Sequence, residues 1–107
     1  MIQTVFHMTK TNEKTIEKVI LDRHVHYLHM VFPKNEGLPI HPSNANLYMT
    51  VLRGTLSLGL NDQEVCLYVS GDVVNVPMGT TMNVQNEHDD ILELIVLKSP
   101  APGSPCV

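Results

Sequence analysis

Six histidines and a sparse set of other donors carry whatever chemistry this 107-residue chain can perform. His24 and His26 stand two residues apart, the spacing that puts two imidazoles on one face of a strand, since side chains alternate with period two. His29 then points the other way. His41 is two residues from Ser43 and is followed by Asn46. Neutral imidazoles suit first-row metal ions and titrate near neutrality, so they serve as metal donors or general bases. His24, His26 and His41 together would make a three-nitrogen metal site, and His41 alone would be a weak candidate for a general base. No carboxylate accompanies His41: Glu36 falls in a turn, Glu93 should point away from the interior, and Asp89-Asp90 reads as a polar turn. Ser43 beside His41 is not a hydrolase signature. His7, near the N-terminus, and His88, in a polar turn, read as solvated. Cys66 and Cys106 do not make a disulfide framework, and Cys66 reads as a buried small hydrophobe.

The stretch Gly71-Asp-Val-Val-Asn-Val-Pro77-Met-Gly79-Thr-Thr-Met82-Asn-Val-Gln-Asn86 has the spacing of a metal-site motif whose metal ligand is replaced. It resembles the second signature motif of the cupin superfamily, G-x5-P-x-G-x2-H-x3-N, with Met82 at the histidine position. Upstream, Gly37-Leu-Pro-Ile-His41-Pro-Ser43-Asn-Ala-Asn46-Leu47 and the following residues to Gly54 resemble the first motif, G-x5-H-x-H-x3,4-E-x6-G. His41 takes the first histidine position, Ser43 the second and Leu47 the glutamate position, while Gly37 stands nearer to His41 than the pattern asks. The resemblance covers nearly the whole chain after about residue 23, and is to small single-domain, cupin-2-like proteins.

It implies an all-β fold, a double-stranded β-helix or jelly-roll barrel of the RmlC-like cupin type. Metal-binding cupins hold one divalent ion inside the barrel with two His and a Glu from the first motif and a His from the second. Carried over by position, this chain keeps only His41. Ser43 is a weak donor, Leu47 is no ligand, and Met82 is a soft thioether suited to copper(I). The expectation is therefore that no cofactor of the family kind is held, which puts metal-dependent dioxygenase, isomerase and decarboxylase activities in doubt. The resemblance also implies a homodimer, for which the outward apolar residues Tyr27, Tyr48, Leu52, Ile95 and Leu97 would supply a sheet-face or strand-exchange contact.

Alternation places Leu47, Met49 and Val51 on one face, with Met30, Phe32, Met82, Val84, Leu92, Leu94 and Val96, giving an apolar interior rich in methionine. One expectation is a small-molecule pocket lined by Met30, Phe32, Met49, Met82 and Leu94 and capped by His41, Ser43, Asn46 and Asn75. Equally, these side chains could simply fill the barrel. Three functions follow in order: a metal-free protein binding a small molecule in its barrel; a metal-dependent oxygenase or isomerase using His24, His26 and His41; and a structural or accessory homodimer acting through its outer sheet.

The elements that must position these residues are strands. Short apolar or alternating runs cover His24–Phe32, Asn46–Leu52, Thr55–Leu60, Glu64–Val69, Val73–Val76, Met82–Val84 and Ile91–Leu97, cut by turn residues every 8–12 positions or so. A further strand is expected after a turn at Thr11-Asn-Glu13, and Asn61-Asp62 reads as a hairpin turn. One domain spans 1–107: an N-terminal strand or arm (1–22), a barrel (23–98) and an extended, proline-rich tail (99–107). Hydrophobic residues make up 43% of the chain and charged residues 17%, which argues against disorder. A net charge of −4 argues against nucleic acid as a partner. No apolar run approaches the roughly 20 residues that span a bilayer, and no signal peptide is visible, so neither a membrane nor export is expected and the cytoplasm is the default compartment.

Overall fold

Each alternating run becomes a strand in the computed structural model, which describes residues 1–103. Nine strands are present among the described residues: β1 (Thr15–Leu21), β2 (His26–Pro33), β3 (His41–Pro42), β4 (Leu47–Arg53), β5 (Thr55–Leu60), β6 (Cys66–Val69), β7 (Val73–Val76), β8 (Thr81–Gln85) and β9 (Ile91–Lys98). They form two antiparallel sheets, a five-stranded one in the order β1-β2-β9-β4-β7 and a four-stranded one in the order β3-β8-β5-β6. Pairing of β2 with β9 and of β5 with β8 gives the long crossovers of a jelly roll, a double-stranded β-helix. No helix among the described residues is long and apolar enough to cross a membrane.

The inward set forms one core. Fourteen residues from β2, β4, β5, β7, β8 and β9 meet between the sheets, among them Met30, Phe32, Leu47, Met49, Met82 and Leu94. None of the fourteen is more than 7% exposed. Burying each such side chain contributes about 1.5–3 kcal/mol, so this cluster is the main source of stability.

Two glycines of the first motif are required by close backbone approach. Gly54, at φ +83 between β4 and β5, would drive a Cβ into the Ile91 carbonyl oxygen. Gly37 bridges to Gln85, and a Cβ there would strike the Val84 carbonyl. The asparagine that ends the second motif is structural. Asn86 is fully buried; its Nδ2 donates to the carbonyls of Phe32 and Asp89, both at 2.9 Å, and its Oδ1 accepts from the Asp89 amide at 3.3 Å. Its backbone binds Asn35 and Glu36, so one residue ties the loop after β2 to the turn before β9.

Two details differ from the sequence reading. β3 is an unforeseen two-residue strand, too short for any periodicity to show. Cys66 is exposed rather than buried, because it opens β6, the edge strand of the smaller sheet. Cys106 and the end of the tail lie outside the described residues.

Replacing Asn86 with Ala should strand the Phe32 and Asp89 carbonyls. Thermal unfolding should show a loss of about 2 kcal/mol and a melting point lower by roughly 10 °C. His41→Ala, at an exposed site, should stay within about 0.5 kcal/mol of the parent.

Candidate functional site

The four motif positions do not converge. His41 lies opposite Met82 on the sheet edge, but its side chain is exposed and its Nδ1 contacts the Pro39 carbonyl oxygen at 2.8 Å. Ser43 is buried with its hydroxyl donated to the Pro77 carbonyl at 2.7 Å, and its backbone bonds to Gly79 and Thr80. It clamps the turn between β7 and β8. Leu47 and Met82 are core residues, 1% and 3% exposed. Asn46 accepts through Oδ1 from Asn75 Nδ2 at 2.9 Å, and Asn75, opposite Tyr48, sits on the outer face. Of the proposed lining, Met30, Phe32, Met49, Met82 and Leu94 pack together in the core, while His41, Ser43, Asn46 and Asn75 are engaged elsewhere. The structure brings the first group together and does not gather the second around it.

The alternative ion site is not assembled either. Asp22 accepts at one carboxylate oxygen from the amides of His24 (2.8 Å) and Val25 (2.9 Å). These bonds, Val25 first, hold its carboxyl below the usual aspartate range and bend the chain before β2 begins. His24 therefore leaves the strand and is exposed, with Arg23 Nε donating to its Nε2 at 3.2 Å. His26 starts β2, half-buried and opposite Lys98, whereas His41 belongs to the other sheet. Among the described residues no group of three or more His, Cys, Asp and Glu side chains could hold a metal ion. His24, His26 and His41 thus do not form the three-nitrogen cluster, and the residues at the motif positions do not fit the ion that the fold family implies.

The one histidine with a dense environment is His29, which sequence reasoning passed over. It points to the outer face of the larger sheet and is 0% exposed. Its Nδ1 lies 2.8 Å from Glu17 Oε1 and its Nε2 2.6 Å from Glu93 Oε2. Register explains the meeting: β1 sets Glu17 opposite His29, and β9 sets Ile95 opposite it with Glu93 two residues on along the same face. Glu93 also accepts from Arg53 Nε at 2.8 Å. Arg53 reaches it because β4 bulges between Val51 and Arg53, which brings Arg53 rather than Leu52 opposite Glu93. Arg53 then donates to the Thr11 carbonyl (3.1 Å) and Asn12 Oδ1 (3.0 Å), and Glu17 accepts from both the amide (2.7 Å) and hydroxyl (2.8 Å) of Thr9. The cluster thereby fastens residues 9–12 of the N-terminal arm to the sheet. A cleft of about 410 Å³ lies beside it, lined by Lys10, Thr11, Asn12, Arg53 and Glu93.

Hydrogen bonds from the Thr9 amide, from His29 and from the Thr9 hydroxyl pull the Glu17 carboxyl down from 4.5 to about 2. Burial raises that of Glu93, but His29 and Arg53 outweigh it and leave it lowered. The signal available in the sequence was the outward placement of both His29 and Glu93; that the arm folds back over them had no local mark.

Two wound antiparallel sheets carrying both motif frameworks define a cupin-type β-barrel, and the comparisons agree. No family model matches the chain. Protein MJ0764 of Methanocaldococcus jannaschii is 37% identical over 103 residues, covering 95% of this chain and 89% of that protein. Its crystal structure, that of an RmlC-like cupin family protein with a double-stranded β-helix fold, superposes with a TM-score of 0.92 over 95% of this chain and 94% of that one. An RmlC-like cupin from Desulfovibrio desulfuricans matches at TM-score 0.72 and 21% identity, over 89% and 99% of the two chains. TT1209 from Thermus thermophilus matches at 0.74 and 16%, over 90% and 91%. The chain belongs to the cupin superfamily, as an RmlC-like cupin.

Because the Glu17 carboxyl is held low, the stability that its ionisation contributes is present above the usual 4.5 and is lost as pH falls towards about 2. Acid titration of unfolding stability should show a loss across that interval that is smaller in a Glu17→Gln variant.

Proposed function

We propose that this cupin works without the family metal, as a self-associating binding or assembly protein whose working surface is the outside of the barrel. The observation that carries this reading is the closed interior. Leu47 and Met82, at two ligand positions, belong to a packed apolar core, and His41 stands exposed without a carboxylate partner. A lone imidazole supplies too few donors to hold a first-row ion against water.

Self-association is supported by the N-terminal arm. Residues 1–10 are exposed throughout, and among them Ile2, Val5 and Phe6 are 104%, 59% and 50% exposed. Tyr48, Leu52 and Val73, on the outer face of the larger sheet or at its rim, are exposed too. Apolar side chains on an extended arm and a matching open face suit exchange of arms between two copies, a closed two-fold arrangement.

A second reading keeps a small-molecule ligand but moves it from the barrel interior to the barrel end. A pocket of about 370 Å³ lies there between Asn44, Ala45, Asn46, Met78, Pro100 and Pro102. Its mostly apolar walls with two amides suit a small apolar molecule bearing one or two polar groups. Native mass spectrometry after incubation with cell extract should then show a retained small-molecule mass, lost when Ala45→Trp fills the pocket.

For the principal reading, light scattering should give about twice the 12.0 kDa chain mass, and deletion of residues 1–8 should give the single chain. Metal content after mild purification should stay below about a tenth of an equivalent. A full-length monomer at micromolar concentration would remove the self-association part, and stoichiometric metal would remove the rest.

A further inference from the structure

We propose that His29 is a proton-operated latch on the N-terminal arm: with both ring nitrogens protonated it holds Glu17 and Glu93 together and docks the arm, and loss of one proton releases it. The geometry supplies the reason. Both ring nitrogens face carboxylate oxygens, at 2.8 and 2.6 Å. A neutral imidazole carries one N–H only, so it can satisfy one carboxylate and must turn a lone pair towards the other. A doubly protonated ring satisfies both.

Charge points the same way. The groups facing the ring are Glu17 from β1 and Glu93 from β9, with Arg53 from β4 on the far side of Glu93 and Lys10 lining the adjoining cleft. With an imidazolium, the two carboxylates are balanced by the ring and Arg53. With a neutral ring, the buried imidazole is left between two partly exposed carboxylates with one negative charge uncompensated, which the reduced solvation there penalises.

Which contact opens is set by anchoring. Glu93 is tethered by Arg53 at 2.8 Å and its side chain is 16% exposed. Glu17 is 27% exposed, and its other partners are the amide and hydroxyl of Thr9, on the arm itself. Glu17 is therefore the group that swings away, and in leaving the ring it gives up its bonds to the amide and hydroxyl of Thr9, which frees the arm. The docked arm projects the apolar residues preceding Thr9 in a fixed direction, and such preorganisation lowers the entropic cost of meeting a second copy. This consequence rests on the self-association reading above; the latch itself does not.

The test follows arm docking by hydrogen exchange of residues 1–12, corrected for intrinsic rates, from about pH 5 to about pH 8, the span in which imidazoles change charge. In the parent the Thr9 amide should exchange about tenfold faster at the high end than at the low end. His29→Gln, whose donors sit on a single nitrogen and whose carbonyl oxygen would face the other carboxylate, should exchange fast throughout. Glu93→Gln should stay protected throughout, because its amide can donate to a neutral ring while the other ring nitrogen still donates to Glu17. Nitrogen NMR of the His29 ring gives a reading that needs no variant: the Thr9 amide resonance should follow the ring's loss of its second proton. A Thr9 amide indifferent to that step, or a Glu93→Gln protein releasing its arm as the parent does, overturns the proposal. Light scattering at both ends of the range separates the two ideas. A dimer that persists while the arm ignores pH sinks the latch alone, and a monomer whose arm still titrates sinks self-association alone.

Discussion

The interior of this barrel is a buried, apolar core, and that constraint governs the rest. A metal site inside a β-barrel needs polar donors converging on a space that admits water and substrate. Here the same positions are given to side chains whose burial holds the two sheets together. Leu47 and Met82 belong to one apolar core with Met30, Phe32, Met49 and Leu94. The framework of both motifs survives because it serves the backbone: Gly37 and Gly54 permit close approach of strands, and Asn86 satisfies carbonyls that would otherwise be buried alone. The parts of the pattern that shape the chain persist, and of the positions that would ligate an ion only His41 keeps its residue type.

Polar organisation has moved to the outside of the larger sheet. There a β-bulge, a strand register and an arm that folds back combine to enclose one imidazole between two carboxylates. Each contribution is local and ordinary. The bulge in β4 brings Arg53 opposite Glu93; antiparallel pairing brings Glu17 opposite His29; the bend at Thr11–Glu13 returns Thr9 to Glu17. Together they connect the protonation of a buried group with the placement of a surface segment, an arrangement in which a small charge change biases a two-state element.

Much of the fold was legible because period-two alternation is a strong signal. Thr55–Leu60 and Val73–Val76 were read with their observed bounds, and the inward residues of β2, β4, β8 and β9 were identified from alternation together with the resemblance to the cupin barrel. What could not be read depended on features without periodicity. β3 has two residues. His24 looks like a strand partner of His26 until Asp22 is seen to cap the amides that bend the chain. Ser43 and Asn46 suit a pocket by type, but their hydrogen bonds go to Pro77 and Asn75. The importance of His29 came from residues 12 and 64 positions away, a long-range meeting that no local pattern encodes.

The central claim is that the barrel holds no binding site for a transition ion, and ligand-linked stability tests it most directly. A protein that binds an ion only when folded gains stability with ion concentration. Melting temperatures measured with millimolar manganese, nickel, zinc or ferrous iron under anaerobic conditions, and with a chelator, should agree within about 1 °C. A saturable rise of several degrees with one of these ions, removed by His41→Ala, would contradict the account and return the chemistry to the barrel interior.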